Sequence, residues 1–507
     1  MDPVIAAIIE SFEPGALSLS ILGVFIGVLI GALPGLGSVV GITICLPFTY
    51  SMHPTPAIAL LLGVYAGSTY GGAISAVLIN TPGTPQSAAT AMEGYPMAQR
   101  GQAAEAIGWA TMASVLGGLF SCIVLILAAP QLASIAMKFT PVETFALIFL
   151  GLSCISTVSG KEKSKGLLSG FVGLMLATIG QDPISGDMRF TLDIYELSSG
   201  IDIIPVVVGA FALAEMLTRM SIVASGSEKI NLVQCDGMKL PSRRDWTGRI
   251  WGLLKSSMIG TGVGILPGTG AATAAFISYG EAQRSSKNSE NFQKGEPDGI
   301  IAAEAANNAV TGGALVPSLA LGIPGDPTTA IMLATLMLHG IVPGVRLMQE
   351  NPVVVYSAFV TLIIANVLML PAGMIITKFF SRILRIPEQL LIPMIIMLCL
   401  LGAYGARTNM FDFSVTLAVG VIGLVFRAFN VPVAPMVIGV VLGFQFEFSM
   451  RQALVLTDGK ILPMFTEHPI AVFLFILTFV LIFGGTIRDR LERRSRKKGQ
   501  EKAQGVN

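Results

Sequence analysis

Gly31-Ala32-Leu33-Pro34-Gly35-Leu36-Gly37 is echoed 233 residues later by Gly264-Ile265-Leu266-Pro267-Gly268-Thr269-Gly270. A second pair follows in the same order. Gly71-Gly72-Ala73 leads to Pro82-Gly83-Thr84-Pro85, and Gly312-Gly313-Ala314 leads to Pro324-Gly325-Asp326-Pro327. All four turns interrupt apolar sequence. Proline removes a backbone donor and kinks a helix, while glycine permits the dihedrals of a sharp turn. Within a bilayer, broken backbone persists only where protein or water satisfies its polar groups. Matched breaks in two halves therefore point to a transport site built from discontinuous helices.

The surrounding composition suits that reading. Of 507 residues, 53% are hydrophobic and 12% charged, against about 25% charged in soluble domains; mean hydropathy is +0.73. Apolar runs such as 352–377 and 470–483 are continuous rather than alternating, which favours membrane helices over a barrel. The expected fold class is all-α: a polytopic helical membrane protein with two inverted structural repeats, re-entrant hairpins and broken transmembrane helices, of the secondary-transporter kind. The five cysteines show no close pair or metal-like spacing and read as small buried hydrophobes. There is no Walker A, His-Glu-x-x-His or Gly-x-Ser-x-Gly sequence. No cofactor is expected, and energy must come from a gradient or another subunit.

Basic clusters set a topology. Eight Lys or Arg between 488 and 502 place the C-terminus in the cytoplasm; Lys161, Lys163 and Lys165, Lys239 with Arg243, Arg244 and Arg249, and Lys378, Arg382 and Arg385 mark further cytoplasmic segments. The acidic connection 182–202 belongs on the opposite side. Crossings are expected near 57–92, 104–129, 142–158, 166–180 and 203–222, then near 300–340, 353–378, 388–404, 411–427, 431–447 and 468–487. Segments 15–49 and 250–280 read as re-entrant hairpins, although two full crossings apiece would leave the topology unchanged. Eleven crossings put the N-terminus outside, so the first hairpin enters from outside and the second from inside. No cleavable leader is visible in residues 1–20. The chain divides into a first membrane repeat (1–224), a cytoplasmic linker (225–249), a second repeat (250–487) and a basic tail (488–507).

A Pro-Gly turn at membrane depth exposes free N–H groups at the following helix start, which attract anions, and free carbonyls at the preceding end, which attract cations. Pro34, Gly35, Gly37, Thr81, Gly83, Thr84, Ser87, Gly268, Thr269, Gly270, Gly325, Thr328 and Thr329 are thus candidate substrate-binding residues. Intramembrane polar groups mark pathways or ion sites, so Asn307, Asn308 and Asp326 are assigned to a coupling-cation site with Ser68 and Thr69 as pseudo-symmetric partners. Helix-to-helix bonding is the alternative role of the asparagines. Glu304, a few residues beyond a polar loop, reads as interfacial. The ladder Gly23, Gly27, Gly31 and the pair Gly439, Gly443 read as close-packing devices.

At these turns the chain closely resembles the large membrane subunit of the tripartite tricarboxylate transporter family. The matching stretches are Gly31 to Gly37, Tyr65 to Gln86 with its Gly-Ser-Thr-Tyr-Gly-Gly core, Gly264 to Gly270, and Glu304 to Pro327. The resemblance implies a bacterial inner-membrane subunit working with a small four-helix membrane subunit and a periplasmic solute-binding protein. It further implies uptake of a carboxylate, such as citrate or a related di- or tricarboxylate, coupled to H+ or Na+. A nucleic-acid partner is not expected. Elevator and rocking mechanisms both remain open. The competing classes are an intramembrane enzyme using Asp326 or Glu304 as acid or base, and a passive anion channel.

Overall fold

The computed structural model describes residues 1–34, 36–158, 163–182, 185–224, 233–235, 237–286, 288–383 and 388–480. Gly35, Lys161, Arg385, the first part of the linker and the tail 488–507 lie outside the described residues. Helices dominate. The only strands among the described residues are Gly180–Gln181 and Met188–Arg189, an antiparallel ribbon in the acidic connection. There Asp182 pairs with Arg189 at 3.2 Å and Arg451 at 3.0 Å, and Glu447 reaches both arginines.

Six helices among the described residues are long and apolar enough to cross a membrane: Pro14–Ala32, Pro54–Ile79, Ala103–Ala136, Ile203–Val223, Pro352–Phe380 and Met410–Ala428. Shorter apolar helices include Gly37–Thr49, Pro327–Leu338 and Pro469–Val480. The chain is an all-α, multi-pass membrane protein.

Each half repeats one element order. In the first, Pro14–Ala32 and Gly37–Thr49 form a helical hairpin; the long helix Pro54–Ile79 and a non-helical turn follow, then Ala88–Gln99 and Ala103–Ala136. The second half has the hairpin Ile250–Ile265 and Gly270–Ser285, the long helix Pro297–Leu321, a turn, then Pro327–Leu338 and Pro352–Ile383. Pro54–Ile79 is apolar on every face and buried along its length, as a helix at the centre of a bundle must be.

Glycine ladders fix the approach and the direction of these helices. A Cβ at Gly23, Gly27 or Gly31 would lie 2.2, 2.6 or 2.3 Å from the carbonyl oxygens of Leu60, Val64 and Ser68. Both numberings rise together, so Pro14–Ala32 and Pro54–Ile79 run parallel with their backbones in contact. Gly260 on Ala306 and Gly264 on Val310 make the same parallel pairing in the second half. Gly117 on Ala305 and Gly312 on Ser121 set Ala103–Ala136 parallel to Pro297–Leu321.

The linker fixes the ends. Val233 N–H donates to Leu78 O and Lys239 N–H to Ala104 O, each at 3.0 Å, and Trp246 stacks edge-on against Trp109 at 5.0 Å. The first long helix therefore finishes where Ala103–Ala136 starts, at the end of the bundle that the linker covers. Because Pro297–Leu321 runs with Ala103–Ala136, the two long helices run in opposite directions, and so do the hairpins packed on them.

The breaks expected in 57–92 and 300–340 fall at the Pro-Gly pairs, between Pro54–Ile79 and Ala88–Gln99 and between Pro297–Leu321 and Pro327–Leu338. Pro54–Ile79 is unbroken for 26 residues, about 39 Å at 1.5 Å per residue, enough to span a hydrocarbon core of about 30 Å. Helix ends come at left-handed residues, Asn80 (φ 52°) and Gly322 (φ 73°), ahead of each Pro-Gly pair. The chain then folds back along the helix it has just left: Gly83 N–H reaches Gly72 O at 3.4 Å, and Gly325 N–H reaches Ser318 Oγ at 3.3 Å. Glycine has no β-carbon to strain in a left-handed cap, and asparagine tolerates that conformation better than most residues.

Candidate functional site

The two backfolds meet the two hairpin tips. A Cβ on Gly83 would sit 1.9 Å from Gly31 O, so only glycine admits the first tip. At the second, Gly268 N–H donates to Gly325 O at 2.8 Å. Each backfold also packs on the other half's hairpin: Pro85–Ser87 lies against Gly270–Ser285, and Pro327–Leu338 against Gly37–Thr49. This exchange brings the elements bearing all four turns around one centre.

Both backfolds end at a helix start of matched sequence, Thr84-Pro85-Gln86-Ser87 and Asp326-Pro327-Thr328-Thr329. In the second half the helix caps itself. Asp326 Oδ1 accepts Thr329 N–H at 2.7 Å, Thr329 Oγ1 accepts Asp326 N–H at 3.0 Å, and Tyr65 Oη donates to Asp326 Oδ2 at 2.6 Å. In the first half Thr84 makes no side-chain cap; its hydroxyl pairs with Ser87 Oγ at 2.9 Å. A carboxylate thus occupies the helix start in one half, and two hydroxyls stand at the matching position in the other.

The remaining candidates are placed as follows. Thr81 Oγ1 bonds Ile79 O at 3.3 Å, and Thr269 Oγ1 bonds Val263 O at 2.5 Å, so both hydroxyls tie off helix ends. Gly37 and Gly270 adopt φ +65° and +73° with open space where a Cβ would stand. Thr328 is buried at the second helix start. Pro34 O accepts a bond from Nη2 of Arg219, an arginine in the span Ile203–Val223 that lies 185 residues away in sequence and shares no motif with the turn. Gly35 lies outside the described residues.

The cation cluster is not assembled as expected. Asp326 bonds Tyr65 and Thr329 rather than either asparagine. Ser68 and Thr69 turn their hydroxyls back onto Tyr65 O at 3.2 and 2.9 Å, the local bond that helical hydroxyls commonly make. Asn307 and Asn308 instead gather with Glu304, which is fully buried within the protein. Glu304 accepts from Thr90 Oγ1 and from Ser114 Oγ at 2.8 Å, while Asn308 Nδ2 bonds Asn307 Oδ1 at 2.5 Å. Residues 304, 307, 308 and 311 share one helix face; their spacing was legible, but their hydroxyl partners in the first half were not.

A second inter-half contact closes the linker end. Glu93, fully buried, accepts Tyr279 Oη at 2.7 Å and the backbone N–H groups of Gln293, Gly295 and Glu296 at 2.5, 2.7 and 2.8 Å. Four donors to one carboxylate make a strong, oriented clamp.

A family model described as the tripartite tricarboxylate transporter TctA family matches residues 17–438. An uncharacterized 52.8 kDa protein in the TAR-I ttuC' 3' region of Agrobacterium vitis is 34% identical over 450 residues, covering 89% of each chain. An uncharacterized protein in the TAR-II ttuC' 3' region of the same organism is 31% identical over 223 residues, 44% of this chain and 92% of its own. No solved structure matches significantly.

Proposed function

We infer the function from one premise: this chain belongs to the tripartite tricarboxylate transporter TctA family. The family is one of transporters, not enzymes, and the chain is its large, multi-pass membrane subunit. We propose that it is the permease of a binding-protein-dependent secondary transporter in a bacterial inner membrane. It works with a small four-helix membrane subunit and a periplasmic solute-binding protein, and imports a di- or tricarboxylate such as citrate by proton or sodium symport.

One observation carries the substrate reading. Asp326 shows what a carboxylate does at a backfold helix start: it takes one backbone N–H and two hydroxyls. The first half offers the same start without a carboxylate, flanked by Thr84, Ser87 and the hairpin tip. A substrate carboxylate at Thr84–Ser87 completes that start, favoured by the helix dipole. Opposed running directions of the long helices support inverted repeats and alternating access by one bundle moving against the other; the basic clusters of the sequence support a periplasmic N-terminus and a cytoplasmic C-terminus.

Charge dictates coupling. Each charge moved against the potential costs about 2.3 kcal/mol per 100 mV, so a trianion needs about 7 kcal/mol, which at least three co-transported cations cancel. The test is flux into proteoliposomes holding both membrane subunits, with binding protein and labelled di- and tricarboxylates outside. Accumulation above equilibrium that collapses with the cation gradient is expected. Equilibration alone identifies a channel, and either equilibration or no flux overturns the proposal.

A further inference from the structure

We propose that Glu304 is the carboxylate of an exchangeable monovalent-cation site shared by the two halves, and that a proton or sodium ion held there is a coupling ion. This rests on the transport reading for the word coupling; the site itself rests on geometry.

Glu304 has no exposed surface, and no ion pair to it is formed among the described residues. The basic groups on the elements around it are engaged elsewhere. Arg100 donates to Gly295 O, Arg249 pairs with Glu296 and Asp298, Lys255 with Glu281, and Lys239 with Glu105. The acidic neighbours offer no relief either. Glu93 on the helix Ala88–Gln99 is held by Tyr279 and three backbone donors, and Tyr70 on the first long helix shares its hydroxyl proton with Thr111 at 2.7 Å. A bare charge at this depth is prohibitively costly, so a carboxylate there is neutralised by a proton or by a bound cation.

The surroundings suit either. Thr90 and Ser114 contribute hydroxyls from the first half. One further polar atom in the cluster, Asn308 Oδ1, is buried without a hydrogen-bond partner. Asn308 turns its Nδ2 to Glu304 O and Oε2 at 3.2 and 3.5 Å, so the oxygens gathered for a cation are the carboxylate and the hydroxyls of Thr90 and Ser114, a hard-oxygen donor set. With a proton on Glu304 either hydroxyl oxygen can turn to accept it. Because the carboxylate stands on one half and its hydroxyls on the other, the occupant senses how the halves are arranged, which a coupling ion must do.

The experiment uses the full chain purified in detergent, with radioactive sodium as one probe and the infrared band of a protonated carboxyl as the other. Sodium occupancy gives saturable binding that Glu304→Gln abolishes. Proton occupancy gives no sodium binding but a carboxyl band that Glu304→Gln removes and high pH bleaches. Ser114→Ala, a milder change, is expected to weaken sodium binding about tenfold or to shift the carboxyl band. If neither signal depends on Glu304 or responds to Ser114→Ala, the site is overturned. If either does, yet wild-type proteoliposomes accumulate no carboxylate, the transport reading fails and the cation site stands. Gradient-driven accumulation that keeps wild-type pH and sodium dependence in Glu304→Gln overturns the coupling role.

Discussion

The turn Asn80–Thr84 and the turn Gly322–Asp326 use one backbone device and end in different chemistry. Both follow a left-handed helix cap, both fold back to a hairpin tip, and both open a helix at proline. In the second half the helix start is closed by Asp326 and latched to Tyr65 of the first. In the first half it is left to Thr84 and Ser87. The difference teaches that the repeated element is the frame and that the site's chemistry lies in the departures from repetition.

The frame should break first. Gly83→Ala places a methyl into Gly31 O, and Gly325→Ala places one 2.6 Å from Ala314 Cα. Neither neighbour is a flexible side-chain end, so each variant should lose about 3 kcal/mol or more, read as loss of monodisperse protein in detergent. Wild-type melting for either would show that the backfold is not fixed against its neighbour.

Copying the second half's chemistry into the first comes next. Thr84→Asp should cap its helix as Asp326 does while repelling an incoming carboxylate. Like charges brought together cost several kcal/mol, so uptake should fall on the order of 100-fold with melting unchanged. Uptake at the wild-type level would exclude Thr84–Ser87 as the anion site.

The latch is a smaller matter. Tyr65→Phe leaves Asp326 Oδ2 without its donor in a buried place, at a cost of about 1–3 kcal/mol. Asp326→Ala removes the cap as well, adding about 1 kcal/mol. A double-mutant cycle on melting should give a coupling of about 0.5–3 kcal/mol; additivity would mean the two residues do not interact. At the bottom of the scale, Lys239→Ala removes an exposed bond to Glu105. No change in melting temperature is expected there, and a clear drop would mean that the linker is held by charge rather than by its backbone bonds.

Much of this frame was legible before any coordinates. Pro34, Pro82, Pro267 and Pro324 announced four interruptions, and the glycine ladder from Gly23 to Gly31 announced a close helix pair. What escaped were partners distant in sequence. Tyr65 and Asp326 lie 261 residues apart, and Thr90 and Glu304 lie 214 apart. Asp326 therefore looked like a free cation ligand, and the hydroxyls around Glu304 went unseen. The left-handed residues Asn80 and Gly322, which stop the helices two residues ahead of the Pro-Gly pairs, also went unread.

The sequence by itself determined the solvent, the helical class, the duplication and the positions where backbone must break. Those follow from hydropathy and from the stereochemistry of proline and glycine, which act within a few residues. Only the tertiary structure decided that each break folds back onto its own helix, that the long helices oppose one another, and how each buried carboxylate is satisfied. Asp326 takes its donors from its own helix start and from Tyr65, while Glu304 takes Thr90 and Ser114 from the other half. That distinction is one of surroundings, and surroundings are assembled from both halves at once.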